Sequence, residues 1–197
     1  NLIVNKNATA NTLTSTTKAF TVNSTLTVTQ GDLILTATDV SYSVVNITVP
    51  AAGILTDNVN WNGTLLLSVT GNIAIDGIFN YTSGTPHVNM NGAGAKFVRS
   101  GTNAASGFGF LTLSTGTYTA SGQLVINSNF WAMFGTPGSF STSGQTVTAK
   151  AGLFIHGGTV NINGGILNVT GGMVVGYPAG LSGIVNFSSG TLNADEG

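Results

Sequence analysis

Short stretches of alternating apolar and polar residues recur along the whole chain. Thr-Leu-Thr-Val-Thr at 25–29 and Thr-Val-Asn-Ile at 159–162 are two of them. Successive side chains of a β-strand point to opposite faces, so each stretch is predicted to be a strand with one buried face. Helix-forming residues at helical periodicity are missing, and Gly-Gly or Ser-Gly pairs end most of the stretches. The pattern therefore predicts an all-β protein built from short strands.

The C-terminal half repeats a unit of roughly 20 to 25 residues. Three apolar series follow this spacing: Phe140–Val160–Val185, Val147–Leu167–Leu192 and Met133–Leu153–Met173. The segment 117–123 also matches 139–145 in sequence. We therefore expect successive coils to begin near Leu111, Met133, Leu153 and Met173.

The N-terminal half repeats less regularly. Gly-Asp-Leu-Ile-Leu at 31–35 resembles Gly-Asn-Ile-Ala-Ile at 71–75, which is the separation expected of two coils of roughly 20 residues each. Residues 76–110 fit the repeat least well. The sequence thus predicts less regular coils over 1–110 and regular coils over 111–197, continuous with each other as one rod.

Repeats of this length with three short strands and no helix are typical of a β-solenoid, in which each strand pairs in parallel with its equivalent in the next coil. We predict a right-handed parallel β-helix of about nine coils, roughly 40 Å long. Val160 and Ile162 should point inward. Two polar columns should lie on the outside, Ser141–Asn161–Asn186 and Thr148–Asn168–Asn193.

Composition narrows the possible functions. Charged residues make up 6% of the chain and the net charge is -1, so nucleic acids and anionic membranes have little electrostatic attraction to it. No apolar run approaches the ~18 residues of a membrane helix, which argues against membrane insertion. The chain has no cysteine, which excludes disulfides, thiolate nucleophiles and cysteine-ligated zinc.

Several segments carry a family resemblance. Asn-Leu-Ile-Val-Asn-Lys at 1–6, together with 20–28 and 158–169, resembles the β-solenoid stretches of very large secreted surface proteins of Bacteroidetes-type bacteria, including gliding adhesins. Residues 173–186 are similar to autotransporter-associated β-strand repeats. The resemblance spans nearly the whole chain and implies a bacterial cell-surface location after export by the secretion machinery. It brings no catalytic motif.

The titratable residues do not form a catalytic or metal-binding pattern. His87 and His156 are far apart in the sequence, and the carboxylates Asp32, Asp39, Asp57 and Asp76 are scattered along it. A polysaccharide lyase or glycosidase site needs two or three acids on one face. We therefore expect no enzyme activity, no metal and no cofactor, and we expect Asp32, Asp76, His87 and His156 to stay apart.

Three aromatic residues have binding potential because exposed rings can stack on sugars. Trp131 lies in the apolar run 129–134 and is interpreted mainly as part of the packed core. Trp61 is a weak candidate as well. Tyr177 lies in a five-residue insertion at a surface loop and is the best exposed candidate.

The function we expect is that of a non-catalytic structural and adhesive segment in a large exported protein, acting as a stalk or surface-contact rod. Its partners would be flanking repeats of the same chain and surface polysaccharide. One alternative is a carbohydrate-binding module or degenerate polysaccharide-active β-helix; a second is a self-assembling extracellular filament subunit. As an interior segment, it should expose apolar positions on its terminal coils and be prone to aggregation in isolation.

Overall fold

The computed structural model describes residues 1–6, 12–15, 19–36, 41–58, 67–81, 86–132, 138–176 and 181–195. In these ranges the chain forms strands and no helix. The strands are β1 (Leu2–Asn5), β2 (Thr12–Ser15), β3 (Thr21–Leu35), β4 (Tyr42–Val49), β5 (Gly53–Asp57), β6 (Leu67–Val69), β7 (Ile73–Ile75), β8 (Ile78–Asn80), β9 (His87–Met90), β10 (Ala95–Arg99), β11 (Phe110–Leu113), β12 (Gly116–Ala120), β13 (Leu124–Ile126), β14 (Asn129–Ala132), β15 (Gly138–Ser141), β16 (Thr146–Ala149), β17 (Gly152–Ile155), β18 (Gly158–Val169), β19 (Met173–Val175) and β20 (Gly183–Ala194).

Strands pair in parallel with their equivalents one turn away, and the predicted β-solenoid is confirmed. The strands form three faces. Face I contains β6, β9, β11, β14, β17 and β19; face II contains β1, β7, β10, β12 and β15; face III contains β2, β5, β8, β13 and β16. The long strands β3, β4, β18 and β20 continue from one face to the next.

The rod has about seven turns, fewer than the nine predicted. One row of outward-facing residues on face I, which we call the outward row, has one member on each turn and runs from Thr21 to Val174. Its members are Thr21, Ser43, Ser68, Asn89, Thr112, Trp131, Phe154 and Val174. Some turns are longer than a uniform repeat of 20 residues, since Val44 pairs with Val69. At about 4.8 Å per turn the row spans about 34 Å.

The predicted register of the C-terminal coils is confirmed in two interior series. Phe140 pairs with Val160 and Val160 with Val185, and the second series joins Val147, Leu167 and Leu192. Phe140 and Val160 are completely buried. The two polar columns also form as expected, because the outward residues between these apolar positions pair in the same register.

The third predicted series is wrong at one position. Leu153 pairs with Met173 as expected, but its partner on the preceding turn is Phe130, which also pairs with Leu111. Met133 itself lies outside the described residues. The coil therefore begins at Phe130, and this turn contains more than 20 residues, since Phe130 pairs with Leu153.

The match between 31–35 and 71–75 does not reflect stacking. Gly31 pairs with Gly53 on face III, whereas Ile73 pairs with Ile47 on face II. The two segments look alike because a glycine at a corner followed by alternating apolar residues is common to strands of different faces. The two segments therefore share a type of local environment, but they do not belong to the same column of stacked residues.

The irregular part of the rod lies between β10 and β11, where face III lacks a full strand. A single parallel bridge joins Phe108 to Ile126. Two buried hydroxyls accept hydrogen bonds from backbone N–H groups of the neighbouring turns. Ser106 Oγ accepts from Phe79 N at 2.8 Å, and Ser100 Oγ accepts from Val125 N at 2.8 Å. Side-chain hydrogen bonds thus replace part of the strand pairing at this turn, beside the backbone bonds from Gly107 N to Phe79 O and from Phe108 N to Val125 O.

Apolar side chains fill the interior from Val4 to Val169 without interruption. The first and last coils are different, because large apolar residues there remain exposed. They are Leu2, Ile3, Leu13, Val174, Val175, Ile184 and Phe187. The expected exposure of inward apolar positions on the terminal coils is confirmed at four of them, which pair with buried residues of the neighbouring turn: Leu2, Leu13, Val175 and Phe187. The other three, Ile3, Val174 and Ile184, are at outward positions.

Candidate functional site

The outward row of face I changes character along the rod. Its early members are small and polar, but Trp131 and Phe154 occupy consecutive turns after Thr112. The interpretation of Trp131 as a core residue is wrong. Its neighbours Phe130 and Ala132 are completely buried in the interior, and strand alternation directs Trp131 to the outside, where it is half-buried.

Four rings meet around this tryptophan, and we call the five together the aromatic strip: His87, Phe110, Trp131, Phe154 and His156. The indole makes edge contacts with His87 at 5.7 Å, Phe110 at 6.3 Å and Phe154 at 6.4 Å between ring centroids. It stacks on His156 at 6.3 Å with an angle of 26° between the rings. Mutual edge-to-face packing holds the indole in one orientation.

The two histidines lie against the same indole although they are distant in sequence. The expectation was that Asp32, Asp76, His87 and His156 would not come together as a group. The two imidazoles share Trp131 as a neighbour, whereas the two carboxylates lie elsewhere on the rod. Phe110 lies on the turn after His87, at the equivalent outward position. The alternation in the sequence places these rings at outward positions of their strands. Which rings become neighbours depends on the length of each turn.

Both imidazoles are buried at the base of the strip. His87 Nε2 lies 2.6 Å from Thr112 Oγ1, and burial lowers the pKa of His87 to about 4. Burial also lowers the pKa of His156. Both rings are therefore neutral at pH 7, and each keeps one N–H donor and one acceptor nitrogen. The aromatic strip carries no ionised side chain at neutral pH.

Asp32 and Asp76 lie elsewhere, and each has its own partner. Asp32 accepts a hydrogen bond from Thr56 Oγ1 at 3.0 Å on face III, and burial raises the pKa of Asp32. Asp76 forms a bidentate pair with Arg99 at 2.8 Å, which lowers the pKa of Asp76. Asp57 ends β5 on the interior side, while Asp39 lies outside the described residues. Within the described ranges, no three His, Cys, Asp or Glu side chains are grouped as metal ligands would be.

A shallow depression of about 710 Å³ adjoins the last turns. It shares Phe154 with the aromatic strip and contains the carboxylate-bearing Asp195. Its lining consists of Phe154, Gly171, Gly172, Met173, Val174, Ala194 and Asp195. The depression therefore extends the apolar surface of face I towards the C-terminal coil.

The other two aromatic candidates, Trp61 and Tyr177, lie outside the described residues, so their roles stay predictions. The part of the chain that the structure describes has no helix that could span a membrane.

No protein-family model, curated protein or solved structure matches this chain. The resemblance to gliding adhesins and autotransporter-associated repeats therefore stays a prediction.

Proposed function

We propose that the chain is a non-catalytic, load-bearing segment of an exported bacterial cell-surface protein, acting as a stalk or surface-contact rod. The observation that carries this proposal is the continuous core with parallel backbone pairing from one turn to the next. Load applied along the axis would be shared by many hydrogen bonds that have to break before two turns separate. Flanking repeats of the same chain would extend the rod.

Asparagine side chains add a second set of links between turns. Asn46 Oδ1 accepts from Asn72 N at 2.8 Å, and Asn72 Oδ1 in turn accepts from Phe97 N at 3.0 Å. The amide on each turn thus pairs with the backbone of the next. Because a one-residue slip would break these bonds, they help to hold the turns in register.

The outer polar columns continue this pattern near the C-terminal end. Asn168 Nδ2 donates to Thr148 Oγ1 at 3.4 Å, and Asn193 Nδ2 donates to Asn168 Oδ1 at 2.8 Å. A parallel contact joins Asn186 Nδ2 to Asn161 Oδ1 at 3.1 Å. Such side-chain ladders are exposed and contribute modestly one by one, but they repeat along the axis.

The corners bring successive turns into close backbone contact. A Cβ atom added to Gly53 would lie 1.8 Å from the carbonyl oxygen of Val28, and one added to Gly171 would lie 1.4 Å from that of Ala151. Glycine is therefore required at these corners by the neighbouring turn. Corners packed this tightly favour a stiff rod over a flexible chain.

The separate environments of the acids support the non-catalytic part of the proposal. Asp32 and Asp76 have different partners and opposite pKa shifts. The surface location rests on the sequence resemblance. It is tested by labelling intact cells of the source bacterium with an antibody raised against this chain, since a buried or cytoplasmic protein would stain only after lysis.

The load-bearing role is tested by single-molecule pulling. Because the chain has no cysteine, the variants Thr21→Cys and Val174→Cys provide two unique attachment points along the face I row. We expect resistance followed by stepwise extension, each step releasing one turn or a few turns. Handles at Thr21→Cys and Ser43→Cys, one turn apart, serve as the control and should give a single short step. Extension without a measurable unfolding force would overturn the proposal.

A further inference from the structure

We propose that the aromatic strip binds a neutral oligosaccharide, with Trp131 as the main stacking platform and the sugar chain running along the rod axis. The inference deepens the surface-contact part of the proposed function and rests on it for its biological setting. The ligand class follows from the shape, polarity and charge of the strip.

The shape suits a repeating ligand. Trp131 and Phe154 are direct neighbours in the outward row, and Phe110 lies beside Trp131 on the preceding turn. Their centroids follow one another at 6.3 and 6.4 Å along the strip. A polymer of flat-faced units can contact several of them at once, whereas a compact small molecule would contact one or two.

Polar groups border the rings in a way that suits hydroxyl-rich ligands. Asn129 lies on the same outward side of β14 as Trp131, and Asn89 lies two rungs before it in the outward row. Both asparagines are half-buried. Asn89 Oδ1 already accepts from Ser114 Oγ at 3.0 Å, so Asn89 offers mainly its Nδ2 donors to sugar hydroxyls. These polar contacts would form while the indole packs on the apolar face of the sugar.

Charge decides between classes of polysaccharide. The strip itself has no ionised side chain at neutral pH. The cations Lys96 and Arg99 lie in β10 on face II, and Lys150 is exposed at the corner before β17. An acidic polymer lying on the rings would lose solvation there, and Asp195, which lines the same depression as Phe154, would repel it. A neutral sugar incurs no such penalty.

The indole is also held in place before a ligand arrives. His87 and Phe154 both meet it edge-on at 88°. A ring that is already fixed loses little conformational freedom on binding, which favours affinity for a weakly interacting ligand.

The test uses an array of immobilised oligosaccharides that contains neutral glucose, galactose, mannose and N-acetylglucosamine oligomers beside sialylated and sulfated ones. Affinities for the hits are measured in solution by isothermal titration calorimetry, and tryptophan fluorescence of the Trp61→Phe variant, in which Trp131 is the remaining tryptophan, reports whether the ligand contacts that ring. We expect binding of at least one neutral oligomer, with a change in emission. Trp131→Ala should weaken it about tenfold or more, and Trp131→Phe should weaken it less.

The matched control is Phe97→Ala, which removes an outward ring from β10 on face II and should leave binding unchanged. Far-ultraviolet circular dichroism verifies that each variant is folded. Absence of any neutral hit, preference for the acidic oligomers, or unchanged binding by folded Trp131→Ala would each overturn the inference. The pulling experiment on Trp131→Ala distinguishes failure of the sugar-binding inference from failure of the rod proposal. The strip lies outside the core, so the loss of the indole should leave the unfolding steps in place.

Discussion

Replacing Ser106 by alanine tests how the rod is held together at its irregular turn. Ser106 Oγ accepts the N–H of Phe79, and its hydroxyl donates to the carbonyl oxygen of Ser100. The serine is buried, with 2% of its surface exposed. Alanine would leave a buried N–H and a buried carbonyl without these partners, at a turn where strand pairing on face III is reduced to one bridge.

The expected magnitude follows from those two bonds. A buried polar group left unsatisfied costs about 1 to 3 kcal/mol, so we expect Ser106→Ala to lower the free energy of unfolding by about 3 kcal/mol. For a chain of this size, that corresponds to a decrease in Tm of roughly 6 to 12 °C. The core packing nearby should not change, because Phe79 and Phe108 remain in ring contact at 4.6 Å.

Urea unfolding followed by far-ultraviolet circular dichroism measures this loss. The control is Ser188→Ala, whose hydroxyl donates to the Ile162 carbonyl at 3.3 Å on the exposed last coil. We expect the control to cost less than about 0.5 kcal/mol. If the two variants unfold at the same urea concentration, the buried hydroxyls do not replace strand pairing and the reasoning is refuted.

Three further predictions concern the turns, the strip and the corners. Asn72→Ala should cost about 1 kcal/mol in urea unfolding, since it removes the acceptor for Phe97 N, and Asn72→Asp should restore part of the loss. The folded-state pKa of His87 is about 4, below its ordinary value, so the contribution of the neutral ring to stability should be complete above pH 6.5 and should be lost as the pH falls towards 4. His87→Gln should flatten the dependence of Tm on pH, and an unchanged slope would contradict this prediction. Gly171→Ala should prevent native packing, because the new Cβ would overlap the Ala151 carbonyl; a soluble variant with wild-type Tm would show that the corner can relax.

Regular strand alternation made the C-terminal core predictable from the sequence. Phe140, Val160 and Val185 could be aligned because the segments that follow them carry the same glycine punctuation, so the spacing reports the turn length directly. The inward position of these residues followed from the period of two. At β14 the next glycine, Gly135, comes only after the whole run 129–134, and that run allows either Phe130 or Met133 to begin the coil.

The aromatic strip could not be predicted from the sequence for a related reason. Its residues lie on successive turns, and their approach depends on the turn lengths between His87, Trp131 and His156, which vary along the rod. The alternation in β14 was itself informative: with Phe130 and Ala132 inward, Trp131 has to point outward. If Phe130, Trp131 and Ala132 are taken as one packed apolar run, Trp131 is wrongly placed in the core.

The central claim is that the turns stack in parallel register into one stiff rod. It is tested most directly by the distance between spin labels at Thr21→Cys and Val174→Cys, measured by double electron–electron resonance. Seven steps along the face I row predict a single narrow distribution centred near 34 Å between the two backbones, widened by the label linkers. A broad distribution, or a narrow one centred well below this distance, would contradict the rod.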